Sequence, residues 1–182
     1  MQAETDIDEV DVDPLLFRRT LANLPTGVVL VAARVEGGEV GLVCNSFTSV
    51  SLEPPLVSFC VAHTSTTWPR IQSSGRFCVS VLADHHLEAP VFSSRSEDRF
   101  VGLDLLHRRS GPALADACAW IDCLPEDVVP AGDHLIVVAR VMDLEAAEEE
   151  VRRPLVFWRG LYGSFAAAPL TEAESAREYR PE

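Results

Sequence analysis

Hydroxyl-bearing residues are concentrated in two short stretches of the chain. The first, residues 41–55 (GLVCNSFTSVSLEPP), begins as an apolar strand and then carries five small polar residues within seven positions: Asn45, Ser46, Thr48, Ser49 and Ser51. Side chains alternate between the faces of a strand, so these polar groups lie on both faces. Small side chains expose backbone N–H and C=O groups, which suit the hydrogen-bonding edge of a planar heterocycle. The competing interpretation is a barrel strand with solvated hydroxyls.

The second stretch, residues 63–68 (HTSTTW), contains three threonines and a serine just before a predicted helix start. Hydroxyl groups and the N–H groups of a helix N-terminus can bind a phosphate without lysine. The pattern therefore predicts an anion site, and an ordinary helix-capping segment is the alternative.

Common catalytic motifs are missing from the sequence. It contains neither a phosphate-binding glycine loop, nor a dinucleotide-binding glycine motif after a strand, nor a nucleophile elbow. The five histidines (63, 85, 86, 107 and 134) lack a metal-ligand spacing. We expect His85 and His86 to lie in a helix, where neighbouring side chains point in different directions, so no metal site is predicted.

The composition is that of one acidic domain. The 182 residues carry a formal charge of −13, which disfavours binding to nucleic acid. No apolar run approaches the roughly 20 residues that span a bilayer, and the acidic N-terminus is unlike a signal peptide. Five irregularly spaced cysteines indicate free structural thiols. These features favour a cytoplasmic protein without membrane attachment.

Hydrophobic patterning predicts many strands and few helices. We expect a helix from Asp13-Pro14, a helix near Pro69 and a helix from Asp84 to about Ser94. Residues 95–112 are polar and are predicted to form an irregular surface segment. The expected strands are 26–35, a strand continuing through the 41–55 stretch, 55–62, 76–83, 117–129, 133–147 and a short pair within 155–165. The first two are predicted to form a hairpin around the Gly37-Gly38 turn.

The turns between consecutive strands are too short for parallel crossovers. The sequence therefore predicts a mainly β, antiparallel fold, closed as a small barrel or Greek key. We expect a single domain over residues 13–165, a flexible acidic tail over 1–12 and a C-terminal tail over 166–182.

The order of the motifs resembles the flavin reductase family, the FMN-binding split-barrel proteins that serve two-component monooxygenases. The segments that carry the resemblance are LPTGVVLVAA, GLVCNSFTSVSLEPPLVSFCV, STTWPRIQSSGRFCVSVLA, GDHLIVVARV and LVFWRGLYGSF. They span residues 24–165. The NSFTSVSLEPP segment is the most specific of them.

The resemblance implies a six-stranded antiparallel Greek-key split barrel that forms a homodimer, with flavin near the subunit interface. It implies that Asn45, Ser46, Thr48 and Ser49 line the flavin ring and that Ser51 shapes this strand end. The implied phosphate ligands are Ser65 and Thr66, with His63 and Thr64 beside them. Arg99 is expected near the flavin tail or the nicotinamide. His134 is expected on the nicotinamide side, and Tyr162 in the same pocket.

The implied reaction is hydride transfer from NADH or NADPH to FMN, or to FAD. A partner monooxygenase would receive the reduced flavin by diffusion. This chemistry needs two rings stacked in a dry pocket and no nucleophile. Since HTSTTW contains no Lys or Arg, three alternatives stay open: the phosphate is neutralised only weakly, by Arg70, or by an arginine of a second subunit. Two alternatives are an FMN-binding barrel with another substrate and a non-enzymatic flavin-binding or storage protein.

Overall fold

The computed structural model describes residues 12–92, 99–147 and 152–165 and shows a mainly β protein. Its helices are α1 (Pro14–Leu21) and α2 (Trp68–Ser73). The strands are β1 (Thr26–Gly27), β2 (Val29–Val35), β3 (Gly38–Cys44), β4 (Thr48–Leu52), β5 (Pro55–Ala62), β6 (Phe77–Val81), β7 (Leu105–His107), β8 (Pro112–Leu114), β9 (Ala119–Ala131), β10 (His134–Ala146), β11 (Leu155–Trp158) and β12 (Leu161–Ser164). The two predicted tails, apart from Val12, lie outside these residues.

The main sheet has the strand order β3-β2-β6-β9-β10-β5-β4, and every pair in it is antiparallel. The predicted antiparallel fold is therefore confirmed. Seven strands appear instead of six because the expected strand through 41–55 is divided at residues 45–47. Ser46 Oγ accepts a hydrogen bond from Cys60 N (2.9 Å) and donates one to Cys60 O (3.3 Å). A side chain that bonds backbone groups in this way competes with a regular strand ladder.

Apolar side chains cover both faces of the sheet. On β2, Val29, Val31 and Ala33 pack into one buried cluster, and the alternating residues Leu30 and Ala32 pack into another. Phe59, Trp68 and Phe77 meet edge to face in the first cluster, which joins α2 to the sheet. This two-sided burial explains the continuous apolar run in the sequence of β2.

Several local predictions are confirmed. Asp13 caps α1, its carboxylate accepting hydrogen bonds from Leu15 N (3.1 Å) and Leu16 N (3.3 Å), and Pro14 is the first helical residue. The Gly37-Gly38 turn joins β2 to β3, and Pro69 lies in the first turn of α2. Among the described residues, no helix has the length and apolar character needed to cross a membrane.

Residues 84–92 differ from prediction. They form two 3₁₀ segments, Asp84–Glu88 and Pro90–Phe92, instead of an α-helix capped by Asp84. The backbone of the first segment is held from outside, because Asp84 N donates to Arg153 O (2.9 Å). The prediction that His85 and His86 point in different directions is also wrong. Their ring centroids lie 4.3 Å apart, because both imidazoles contact Asp116.

Residues 99–112 of the predicted irregular surface segment pack against the sheet, and residues 95–98 lie outside the described residues. The described part contributes β7 and the start of β8, and β8 is fully buried. Gly111 lies so close to β2 that an added Cβ would be 2.6 Å from Ala32 O. Leu114 N donates to the buried Ser80 Oγ (3.1 Å). Tertiary packing, which local polarity does not report, decides the structure here.

Candidate active site

A cavity of about 440 Å³ brings the hydroxyl-bearing residues that follow β5 together with a basic side chain. One wall is the segment Thr64–Thr67, which follows β5, and Arg99 lies in another wall. Leu42 and Val43 of β3, together with Val91, Phe92 and Tyr162, supply the remaining apolar and aromatic lining. The volume lies within the range of small-molecule sites.

Hydrogen bonds within the chain shape the segment Thr64–Thr67, which we call the hydroxyl segment. Ser65 N donates to Ala62 O (2.9 Å), which turns the chain after β5. Ser65 Oγ accepts from Trp68 N (3.1 Å) at the start of α2. Ser65 therefore satisfies the N–H of the first residue of α2 as well as lining the cavity. Thr64 and Thr66 are exposed and border the cavity, whereas Arg70 is not among its lining residues.

Arg99 is anchored on β3. Its guanidinium donates to Gly41 O, and the neighbouring Phe100 packs against Gly41. An added Cβ at Gly41 would lie 2.8 Å from Phe100 Cζ, so no larger residue fits without a shift. Burial lowers the pKa of Arg99 from its usual value, which is far above neutral pH, and the side chain remains cationic. The cavity therefore has a fixed positive charge beside its hydroxyl segment.

A recess of about 110 Å³ adjoins the cavity and shares Val43 and Tyr162 with it. Asn45 and Phe157 also line the recess. Asn45 Nδ2 donates to Thr26 Oγ1 (3.2 Å), and the Tyr162 ring packs against Phe92 and Phe157 with centroids 5.2 and 5.1 Å apart. The recess therefore forms one end of the cavity, and an amide group and aromatic rings line it.

The other predicted ring-binding residues lie apart from both spaces. Thr48, Ser49 and Ser51 are on β4, which is an outer strand of the sheet and pairs only with β5 among the described strands. A bulge interrupts the β4–β5 ladder between Ser49 and Ser51. Ser46 holds the backbone of Cys60, as described above. One edge of β4 therefore presents backbone groups that the sheet leaves without ladder partners.

His134 and His63 lie together beside the hydroxyl segment, although neither lines the cavity or its recess. His63 N donates to Asp133 O (3.1 Å), and His134 begins β10 opposite Ala62. His134 Nδ1 is 2.7 Å from Asp133 Oδ1. This hydrogen bond lowers the pKa of Asp133 and leaves Nε2 of the half-exposed imidazole facing away from its partner.

Three residues of this region were not singled out from the sequence. Asp133 belongs to the GDH motif and fixes the His134 ring, so its position next to a candidate histidine was the available signal. Phe92 lines the cavity, but the 3₁₀ segment that places it gives no clear periodicity. Gly41 begins the hydroxyl-rich stretch, and its close contact with Phe100 arises only from tertiary packing.

Comparison with known proteins identifies the family. A model described as "Flavin reductase like domain" matches residues 21–166. A protein named flavin reductase from Pseudomonas putida is 45% identical over 159 residues, which cover 86% of this chain and 92% of the relative. The chain belongs to the flavin reductase family. The sequence-based assignment to flavin reductases, and hence to the oxidoreductases, is confirmed.

Two further family members resemble this flavin reductase closely. The reductase subunit HsaB of a flavin-dependent monooxygenase from Rhodococcus jostii is 43% identical over 153 residues, covering 83% of this chain and 77% of HsaB. The NADH:FAD oxidoreductase SgcE6 from Streptomyces globisporus, solved in complex with NAD and FAD fragments, superposes with a TM-score of 0.77 at 32% identity. That match covers 85% of this chain and 96% of SgcE6.

Proposed function

We propose that this flavin reductase transfers hydride from NADH or NADPH to a flavin bound in the 440 Å³ cavity. The reduced flavin then passes by diffusion to a separate monooxygenase. The observation that carries the proposal is the meeting of the Thr64–Thr67 hydroxyls with Arg99 in one cavity. The relative HsaB, a monooxygenase reductase subunit, supports the choice of recipient.

The phosphate end of the flavin is assigned to Thr64, Ser65, Thr66 and Arg99. A protein with a formal charge of −13 repels phosphate over long distances, so binding needs local donors and a local cation. Arg99 supplies that cation from within the same chain, in place of the expected contribution from Arg70 or a second subunit. Hydrogen bonds between charged groups are the stronger class of such contacts.

The ring end is assigned to the recess and to the neighbouring β3–β4 stretch. Asn45 and Tyr162 line the recess directly. We assign Thr48, Ser49 and Ser51 to a flavin edge that lies along the free side of β4, where backbone groups and hydroxyls are accessible. Ser46 acts indirectly, because it holds the bend before β4.

His134 is assigned to the nicotinamide side of the site, next to His63. When bound beside the flavin, the nicotinamide would supply the hydride that the flavin accepts. Asp133 accepts a hydrogen bond from Nδ1–H of His134 and thereby directs Nε2 toward the incoming ring. The residue positions the donor and needs no nucleophilic chemistry.

The active unit is proposed to be a homodimer. The β4 edge and His134 lie outside the cavity of a single chain, so a second copy is needed to close the site. Apolar residues exposed on α1 and on the β11–β12 hairpin supply a surface for such a contact.

The experiment follows NADH and NADPH oxidation with FMN, FAD or riboflavin as acceptor. Arg99→Gln should raise the KM for FMN or FAD by about 10- to 100-fold, the loss typical of a hydrogen bond to a charged group. Riboflavin has no phosphate, so its KM should stay nearly unchanged. Arg70→Gln is the matched control, since Arg70 is exposed outside the cavity.

The outcomes separate the alternatives. Flavin binding without oxidation of either nucleotide would favour a storage protein, and flavin that stays bound during turnover would favour an FMN enzyme with another substrate. Equal losses with FMN and riboflavin in Arg99→Gln would remove the phosphate assignment. The same assays rank FMN against FAD and NADH against NADPH.

A further inference from the structure

Three side chains capable of binding a metal meet outside the candidate active site. His85 Nε2 lies 2.8 Å from Asp116 Oδ2, and His86 Nε2 lies 2.9 Å from Asp116 Oδ1. One ligand atom from each residue can be chosen so that all lie within 4.8 Å of one another. The histidines belong to the 3₁₀ segment Asp84–Glu88, and Asp116 lies in the turn between β8 and β9. Two separate parts of the chain therefore converge here.

The second nitrogen of His86 lies within hydrogen-bond distance of a backbone carbonyl, and that of His85 lies near a carboxylate. His86 Nδ1 is 3.3 Å from Ala83 O, and His85 Nδ1 is 4.0 Å from Asp84 Oδ1. Metal-bound histidines characteristically hold their remaining N–H against a backbone carbonyl or a carboxylate, which orients the ring. His86 thus has the outer contact of a metal ligand, and a small rotation would bring His85 Nδ1 within reach of Asp84.

The hydrogen bonds of His86 show which contacts a metal ion at Nε2 would have to change. Ala83 N donates to His86 Nδ1 at 3.0 Å, so the proton of the neutral ring is on Nε2 and points at Asp116. A metal at Nε2 moves this proton to Nδ1, where Ala83 O accepts it. Ala83 N–H loses its acceptor in the exchange, which limits the affinity of the site.

We propose that His85, His86 and Asp116 form a binding site for a divalent transition-metal ion such as Zn²⁺. Tetrahedral ligands at zinc lie about 3.3 Å apart, given bond lengths near 2.0–2.1 Å. Asp116 would bind through one oxygen, so the contact of that oxygen with its histidine would open by about 0.5 Å. All three ligand atoms lie within 4.8 Å of one another, and small side-chain rotations bring them to this spacing. Two imidazole nitrogens and one carboxylate select zinc, cobalt or nickel over magnesium and calcium, which prefer oxygen ligands.

The surroundings suit a structural ion. A cavity of about 340 Å³ borders the cluster, and Glu88 and Asp104 add two carboxylates to its lining. Water or one of these carboxylates can complete the coordination. The segment that carries the histidines leads into Val91 and Phe92 of the active-site cavity. An ion here would connect the 3₁₀ segment next to the active-site cavity with the turn between β8 and β9.

The test titrates the full-length protein with Zn²⁺ by calorimetry and with Co²⁺ by visible absorption. We expect one ion per chain with a Kd in the micromolar range, cobalt bands of low-coordinate geometry and a higher melting temperature in the presence of zinc. His85→Ala and Asp116→Asn should each weaken binding at least about tenfold. Both side chains are about half exposed, so these variants should fold, whereas the buried His86 is less suitable.

His107→Ala is the matched control. His107 is an exposed histidine on β7 that contacts Arg34 and lies outside the cluster. Its variant should bind zinc as the unmodified protein does. The proposal is overturned if no stoichiometric binding occurs, or if His85→Ala and Asp116→Asn bind zinc normally. Binding that disappears only after alkylation of the cysteines would also overturn it.

Discussion

At the scale of single residues, the hydrogen bond between Asp133 and His134 orients the histidine that we assign to the nicotinamide side of the site. Asp133 is almost fully exposed and His134 is about half exposed, so their ion pair contributes little to stability. Its value lies in orientation. The carboxylate fixes which nitrogen of His134 carries a proton when the ring is neutral, and this choice decides what the ring offers to a nicotinamide.

The first prediction concerns this pair. Asp133→Ala should lower kcat/KM for NADH by less than about tenfold, since an exposed pair orients the ring only partially. Asp133→Asn should retain more activity, because the amide oxygen can still accept from Nδ1. The loss in His134→Ala should exceed both. Steady-state kinetics at saturating flavin measures these effects.

Flavin affinity provides the control for the first prediction. It should be unchanged in all three variants, as judged by quenching of flavin fluorescence. Asp127→Ala, which removes an exposed carboxylate on β9, should leave the kinetics unaltered. If His134→Ala weakened flavin binding as much as it slowed nicotinamide oxidation, His134 would have a structural role.

A second residue-scale prediction follows from the buried thiols. Burial raises the pKa of Cys78 and of Cys123 from 9.0 to about 12. In the unfolded chain these thiols ionise near pH 9, so the unfolded state binds fewer protons than the native state above that pH. The free energy of unfolding should therefore fall between pH 9 and 12, by about 1.4 kcal/mol per pH unit for each thiol.

Urea unfolding at pH 8, 9, 10 and 10.5 measures the slope. Cys123→Ala should reduce the fall by about one thiol's share, about 1.4 kcal/mol per unit, while lowering stability uniformly through the small cavity it leaves. Cys118 is only partly buried, so Cys118→Ala should change the slope less. An unchanged slope in Cys123→Ala would contradict the explanation.

At the scale of elements, strands were predictable where burial and sequence pattern agree. The runs of β-branched residues in β2, β5 and β10 predict strands because such side chains fit a pleated, buried surface. The division of the 41–55 stretch depends on Ser46 bonding Cys60, fourteen residues away. Similarly, β8 is buried because Gly111 allows a close approach to Ala32. Contacts between distant residues set these features, so local pattern could not reveal them.

In the candidate site, too, some residues could be predicted from local pattern and others depend on contacts between distant residues. The hydroxyl segment and Arg99 were identified as candidates from the sequence, and the structure places them around one cavity. The anchoring of Arg99 on Gly41 was not predictable, because it depends on how the segment from Arg99 to Leu103 folds back over β3. Residues that hold a functional side chain in place are therefore harder to predict from the sequence than the functional residue itself.

A third prediction tests this anchor. Gly41→Ala places a methyl group 2.8 Å from Phe100 Cζ and 3.1 Å from Leu30 Cδ1, so Phe100 must shift and move Arg99 with it. The KM for FMN should rise about tenfold and the stability should fall by about 1–3 kcal/mol, the usual cost of overpacking. Riboflavin turnover should be less affected. Kinetics with both acceptors and thermal unfolding provide the measurements.

A second-site change makes this prediction specific. Gly41→Ala combined with Phe100→Ala restores space, and part of the FMN affinity should return if displacement of Phe100 causes the defect. Gly27→Ala is the control, because a Cβ at Gly27 has no neighbour within 4 Å. A defect in Gly41→Ala that is equal for FMN and riboflavin would argue for general damage to β3.

At the scale of the whole molecule, α1 is the element that a single chain explains least. None of its residues is buried, and Leu15, Leu16, Phe17 and Leu21 are all more than half exposed. An isolated eight-residue helix is unstable in water. The helix is attached mainly through Asn23, whose side-chain oxygen accepts from the Arg159 guanidinium and whose backbone carbonyl accepts from Trp158 Nε1 (3.1 Å).

These bonds place α1 beside the β11–β12 hairpin, which exposes Trp158, Leu161 and Phe165. Both elements therefore expose apolar side chains, and Asn23 ties them together through polar bonds; Tyr162, which lines the cavity, belongs to the same hairpin. A second copy of the chain is the occupant we propose. Such a contact would cover the helix, which has no buried residue of its own, and would lie next to the proposed flavin site.

The last prediction follows from this arrangement. Phe17→Asp combined with Leu21→Asp removes two apolar side chains, each worth about 1.5–3 kcal/mol when buried, and adds charge to an already acidic surface. The dimer dissociation constant should rise at least about a hundredfold, so that the variant is monomeric at micromolar concentration in analytical ultracentrifugation. Flavin affinity and NADH oxidation should fall as dimerisation is lost, and activity should recover partially at high protein concentration.

Leu106→Asp on β7 is the matched control, since Leu106 is exposed away from this surface. A fully active monomer would show that one chain completes the site, and the second copy would then have no part in binding flavin.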